Sequence, residues 1–228
     1  MRLGAKLGLM LLLTAAALAC RAQSTATLGM LEKAKALKPD LQSGEHLYIL
    51  YCSACHYRSG WGNGPRKVPA LAGQQDLYLL QELIQFSRLE RQRGEMHEVV
   101  VRPAITGPQL LRDVSSYMAQ LPRNADPDTG EGMQLRRGER LYAQRCRVCH
   151  GQNGEGDREG LIPAIGGQQY GYLLMQMRHF AKEHPAQEPC AQSSPAAINL
   201  SARLSPVELK AIADYTSRLR ALQAHAAP

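Results

Sequence analysis

Apolar residues in this chain recur at three- and four-residue intervals, and no stretch sustains the alternation of a strand. Leu47, Leu50 and Tyr51 give an inward stripe to a helix that Ser43 would cap. Asp76 to Arg93 reads as a second helix, with Leu77, Leu80, Leu83, Ile84 and Phe86 inward and Gly94 ending it. A loop carrying Met96 and Pro103 follows. Gly107-Pro108 then opens a helix through about Leu121, buried along Leu111, Val114, Tyr117 and Met118. The same plan returns near Gln134–Arg145, Gln169–Lys182 and Ser205–Leu222. The predicted fold is all-α.

The return is an internal repeat. At an offset of 94 residues, Gly44-Glu45 maps onto Gly138-Glu139, Leu47-Tyr48 onto Leu141-Tyr142 and Pro69-Ala70 onto Pro163-Ala164. Gly73-Gln74-Gln75 maps onto Gly167-Gln168-Gln169, Tyr78-Leu79-Leu80 onto Tyr172-Leu173-Leu174, and Phe86 onto Phe180. Beyond that the second copy is four residues longer, and Pro108, Leu111, Val114, Tyr117 and Leu121 match Pro206, Leu209, Ile212, Tyr215 and Leu219 at an offset of 98. A period this long is a duplicated domain, not a solenoid unit. The expected units are a first domain at 43–122, a linker rich in proline, glycine and aspartate at 123–133, and a second domain at 134–222. A frayed tail covers 223–228.

Ahead of the repeat, Arg2 and Lys6 precede an apolar run from Leu7 to Leu18, the pattern of a secretory signal peptide over residues 1–22. Cleavage after Ala19 would leave Cys20 at the N-terminus, where a lipid would tie the chain to a membrane; cleavage after Ala22 would not. Residues 23–42 read as a loosely held polar arm with a short helix near Leu28–Leu37. Losing the leader removes Arg2, Lys6 and Arg21 and lowers the formal charge from +7 to +4. That mild excess is no nucleic-acid signature, although Arg58, Arg66, Lys67, Arg88, Arg91 and Arg93 could meet an acidic redox partner.

The chemistry lies in Cys52-Ser53-Ala54-Cys55-His56 and its copy Cys146-Arg147-Val148-Cys149-His150. Two cysteines one helical turn apart can add both thiols to the vinyl groups of one porphyrin, and the following histidine is held beneath the iron. A structural zinc site would place its second cysteine pair about 15–20 residues after the first; here 94 residues separate them. A thioredoxin-like dithiol would need a βαβ setting and no adjacent histidine. Two covalently bound haem c groups are therefore expected, through Cys52, Cys55, Cys146 and Cys149, with His56 and His150 as axial iron ligands. One Trp and two Phe are few large rings for two small cores, and a porphyrin would supply the missing flat apolar mass.

In these residues the chain resembles the class I c-type cytochromes, and in particular the dihaem cytochrome c4 family. The resemblance runs over about residues 40–222. It rests on the two motifs, the Pro-Ala-Leu/Ile-x-Gly loops, the Tyr-Leu-Leu helix starts and the closing helices with Tyr117 and Tyr215. It implies two tandem class I cytochrome c domains, each wrapped around one covalent haem. It also implies that Gly44 crosses Tyr117 and Gly138 crosses Tyr215, and that the Pro69 and Pro163 carbonyls receive hydrogen bonds from His56 and His150. By the same likeness the protein is a periplasmic electron carrier with redox-protein partners such as a membrane oxidase or quinol-oxidising complex.

The sixth iron ligands are where the two copies part. Met96 lies 40 residues after His56, where the family places an axial methionine; Met118 in the closing helix and the adjacent His97 compete with it. In the second copy the position in register holds Cys190, again 40 residues after its histidine. Thiolate ligation by Cys190 is the expectation, with His184, His179 or Lys182 as substitutes. A His/Cys haem also occurs in thiosulfate dehydrogenases, so a haem enzyme of sulfur-compound oxidation is the rival to a carrier without turnover.

Overall fold

Leucine and tyrosine stripes of the predicted spacing do form helices. The computed structural model describes residues 25–91, 94–101, 105–182 and 203–219. The first half contains α1 (Leu41–Leu47), a π-helical turn (Tyr48–Cys52), α2 (Ser53–His56), α3 (Asp76–Ser87), α4 (Gly94–Val101) and α5 (Pro108–Gln120). The second contains α6 (Leu135–Arg145), α7 (Arg147–His150), α8 (Tyr170–Lys182) and α9 (Pro206–Arg218). Among the described residues extended pairing is limited to two isolated bridges, Asn63 with Val68 and Asp157 with Ile162, which are themselves 94 residues apart. The fold is all-α, as expected.

In each half the first long helix packs on the last. Gly44 sits against the Asp113 carbonyl and Tyr117 Cβ, and Gly138 against the Ala211 carbonyl and Tyr215 Cβ, so that any side chain at either glycine would collide. The close crossing brings Tyr48 to Tyr117, ring centroids 5.6 Å apart, and Tyr142 to Tyr215 at 5.7 Å. Buried Tyr48 donates to the Tyr57 carbonyl and Tyr142 to the Gly151 carbonyl, each at 2.7 Å. Both bonds tie the crossing to the end of the short helix that carries the histidine. The second layer is α3 on α5 and α8 on α9, through Leu80, Ile84, Leu111 and Val114 in one half and Leu173, Leu174, Leu209 and Ala213 in the other.

Four expectations need correction. The first helix begins at Leu41 rather than after Ser43, because Asp40 is its cap and accepts from the Gln42 and Ser43 N–H groups. The second helix stops at Ser87, not Arg93: Leu89 takes a positive φ of 56°, which turns the chain out of the helix. Gly94 therefore opens a new helix instead of closing the old one, and Met96 stands on α4, not in a loop. The segment before the repeat is no loose arm. Residues 25–35 are helical, Leu31 and Ala34 are buried in the first core, and Thr27 donates to Glu90 at 2.7 Å.

The halves face each other through the loops that follow the histidines. Gln74 donates to the Ala164 carbonyl and accepts from the Ala164 N–H, both at 2.8 Å. Gln168 does the same to Ala70, at 2.9 and 2.8 Å. Gln75 donates to the Glu155 carbonyl and Gln169 to the Trp61 carbonyl. These four contacts are two pairs related by the 94-residue offset, so the interface has an internal twofold. Arg123, in the predicted linker, straps the seam by donating to the carbonyls of Gly73 and Gly166.

Candidate haem-attachment sites

In each Cys-x-x-Cys-His stretch the last four residues form a short helix, and Cys52 or Cys146 stands at its N-cap. Cys52 and Cys146 are partly buried, while Cys55 and Cys149 are exposed. All four thiols are free. Burial pushes the Cys52 thiol up to about 12 and the Cys146 thiol up to about 11. No group of three or more His, Cys, Asp or Glu able to hold a metal ion occurs among the described residues.

The histidines are oriented alike. His56 Nδ1 lies 3.0 Å from the Pro69 carbonyl, and His150 Nδ1 lies 3.0 Å from the Pro163 carbonyl. A carbonyl can only accept, so Nδ1 carries the proton in both rings, and Nε2 keeps its lone pair. Burial lowers both pKa values against the opposing effect of that hydrogen bond, which favours the neutral, ligating form. A neutral imidazole with a free Nε2, beside two free thiols one turn apart, is a donor set that fits a covalently attached haem.

Two glycines make the loop geometry workable. Gly62 and Gly156 have φ of 70° and 74°, and a Cβ on either would strike the Pro69 or Pro163 carbonyl region. Their N–H groups bond back to the His56 and His150 carbonyls. The chain thus returns past the histidine and delivers the proline acceptor.

The distal candidates are placed unevenly. Met96 is partly buried on α4 and packs against the first core; His97 is tied through Nδ1 to the Phe86 carbonyl at 2.7 Å. Met118 is 1% exposed, enclosed in the core beside Leu111 and Val114. Cys190 and His184 lie outside the described residues. His179 is exposed on α8, next to the Phe180 ring. What sequence reasoning missed is the work of the two Gln-Gln pairs. They stood out as repeat matches, and their partners across the seam lie 90 and 98 residues away.

Residues 135–219 match the Cytochrome c family model. The chain is 29% identical over 183 residues to a cytochrome c4 of Azotobacter vinelandii, covering 74% of this chain and 84% of that protein. It is 28% identical over 142 residues to a cytochrome c-552 of Acidithiobacillus ferridurans, where the match takes in 57% of this chain but 59% of the relative's length. A thiosulfate dehydrogenase electron acceptor of Thiomonas intermedia is 26% identical over 170 residues, 72% of this chain and 76% of that one. Among solved structures, reduced cytochrome c4 from Pseudomonas stutzeri superposes with a TM-score of 0.66 at 24% identity, over 80% of this chain and all of that one. A thiosulfate dehydrogenase of Marichromatium purpuratum gives 0.67 at 23%, over 82% of this chain and 42% of that one. At those identities the two structures establish the fold.

Proposed function

Since this chain is a cytochrome c4-like class I c-type cytochrome, we propose that it holds two haem c groups and carries single electrons between respiratory redox proteins in the periplasm. That it carries covalently bound haem c and exchanges electrons with redox proteins follows from the family. The number of haems, their remaining ligands and the partners are the proposal. One observation supports it above the rest: the same Cys-x-x-Cys-His helix, with its histidine bonded to a proline carbonyl at 3.0 Å, is built twice, in two halves that face each other.

Bound haem supplies a one-electron iron couple. The chain's own residues do the remainder. Cys52 and Cys55, and Cys146 and Cys149, would anchor it and His56 and His150 would present Nε2, with Pro69 and Pro163 holding the ring planes. Met96 offers a neutral thioether to the first site, which favours the reduced iron. Cys190 would offer an anionic thiolate to the second, which would favour the oxidised iron. Electrons entering at the second site would then pass downhill to the first. Donor and acceptor would be membrane complexes such as a quinol-oxidising complex and an oxidase. No helix among the described residues is long and apolar enough to cross a membrane; export through the leader, with or without a lipid on Cys20, belongs to the same proposal.

Denaturing mass spectrometry of the mature protein tests the count. Two haem increments are expected, and one increment, or zinc in place of iron, overturns it. The sulfur-oxidation reading is favoured by the register of Cys190 and by the fold shared with a thiosulfate dehydrogenase. Assays with thiosulfate, tetrathionate and sulfite decide it, and turnover with any of them would replace the carrier with an enzyme.

A further inference from the structure

Each proximal histidine donates to a proline carbonyl, and the N–H of that same peptide unit is the next residue's. Pro69 C=O and Ala70 N–H are the two ends of one amide, as are Pro163 C=O and Ala164 N–H. Ala70 N–H is received by Gln168 Oε1 at 2.8 Å, and Ala164 N–H by Gln74 Oε1 at 2.8 Å. Both acceptors come from the opposite half. The glutamine Nε2 also donates to the carbonyl of the same alanine, which belongs to the next peptide, so two bonds hold each glutamine amide in place. Gln74 and Gln168 are 8% and 7% exposed, so water competes little for these bonds.

A peptide whose N–H is hydrogen-bonded is more polarised, and its carbonyl becomes a stronger acceptor. A stronger acceptor at Nδ1 gives the imidazole more anionic character and makes Nε2 a better donor to the iron. That favours the oxidised state. We infer that each half tunes the other's haem: Gln168 acts through Ala70 and Pro69 on His56, and Gln74 acts through Ala164 and Pro163 on His150. The glutamines are positioning residues that act through the alanine peptides they bond. The inference rests on the haem occupancy proposed above. It explains why the Gln-Gln pair recurs in both halves although the partner residues it meets are not in its own half.

The signature is crossed. In the full holoprotein Gln168→Leu should raise the potential of the couple at His56 and leave that at His150 in place; Gln74→Leu should do the reverse. The His56 Nδ1–H proton resonance should move upfield and exchange faster with solvent in Gln168→Leu, and this also assigns the couple. Gln168→Glu keeps an acceptor at the same reach and should hold the His56 couple at or below its wild-type potential. Should the leucine variant not fold, Gln168→Asn retracts the acceptor by one methylene and should give the same crossed rise in smaller measure. A shift confined to the variant's own half, equal shifts at both haems, or no shift overturns the tuning. Haem mass increments are scored on the same samples, so loss of haem is told apart from loss of tuning.

Discussion

The two halves are near copies on the side of the histidines and differ on the opposite side. The Cys-x-x-Cys-His stretch, the returning proline loop and the glutamine clamp recur at an offset of 94, and the glycine-on-tyrosine crossing recurs with its tyrosine shifted to 98. Between Phe86 and Pro108, and between Phe180 and Pro206, the sequences part before the match resumes at an offset of 98. The first half turns at Leu89, builds α4 and packs Met96 on its core, while the register position of Arg91 in the second half is Pro185 and that of Met96 is Cys190. Arg91 itself reaches across to the Tyr172 hydroxyl at 3.3 Å. Attachment chemistry and the seam constrain many residues at once and so tolerate little drift. On the proposed ligation a sixth ligand would be one side chain on a separate segment, and changing it would alter the potential without disturbing the scaffold.

The sharpest way to break the comparison is to make the distal sides alike. Cys190→Met should raise the potential of the second couple strongly and draw the two couples together, because a neutral thioether replaces an anionic donor. Met96→Ala should abolish the near-infrared sulfur-to-iron band of the first haem, whereas Met118→Leu, in the closed core, should leave it. Redox titration with near-infrared and EPR spectra checks all three. Unchanged potentials in Cys190→Met would remove that residue from the ligand set.

The shared scaffold should respond equally in both halves. Gly44→Ala and Gly138→Ala each push a methyl into a backbone carbonyl of the partner helix, which the α1–α5 and α6–α9 crossings can relieve only by separating. Overpacking against a backbone costs on the order of 3 kcal/mol. Guanidinium unfolding followed by haem absorbance should show losses of similar size for the two variants. A much smaller loss for Gly138→Ala would mean that the second crossing is the looser one.

How far the sequence could be read follows the same division. The Cys52-x-x-Cys55-His56 stretch and its copy stood out because they are contiguous and repeated, whereas the Pro69 and Pro163 acceptors came from the family resemblance and the structure places them 3.0 Å from His56 and His150. Boundaries set by one backbone angle were not legible: Leu89 carries a positive φ that its residue type disfavours, so Gly94 was read as a stop when it is a start. Docking was missed for residues 25–35, since Leu31 and Ala34 form too short a stripe to declare what they pack on. The Gln74 and Gln168 clamps were invisible for a different reason. Their partners are backbone groups, which leave no trace in residue identity.

The smallest effect expected is at the rim of the seam. Asp76, in the first turn of α3, receives hydrogen bonds from Arg112 of its own half at 2.8 Å and from Arg158 of the other at 2.6 and 2.8 Å. Burial would raise its pKa, but the bonds from Arg158 and Arg112 outweigh it and hold the carboxyl below its usual range. A carboxylate depressed in the folded state contributes stability above its unfolded pKa, about 3.9, and loses it as pH falls through the lower folded value. Arg158 is 44% exposed on its side chain, so solvent screens the pair. Arg158→Ala should therefore cost less than about 1 kcal/mol near neutral pH. The gap between variant and wild type in denaturant unfolding should stay level down to about pH 5 and close below about pH 4, as Asp76 takes up its proton in both. Raising the salt concentration at pH 7 should narrow the same gap, since half-exposed pairs are screened and the buried glutamine clamps beside them are not. A gap that persisted at low pH would assign the loss to packing of the arginine stem on the seam instead of to its charge.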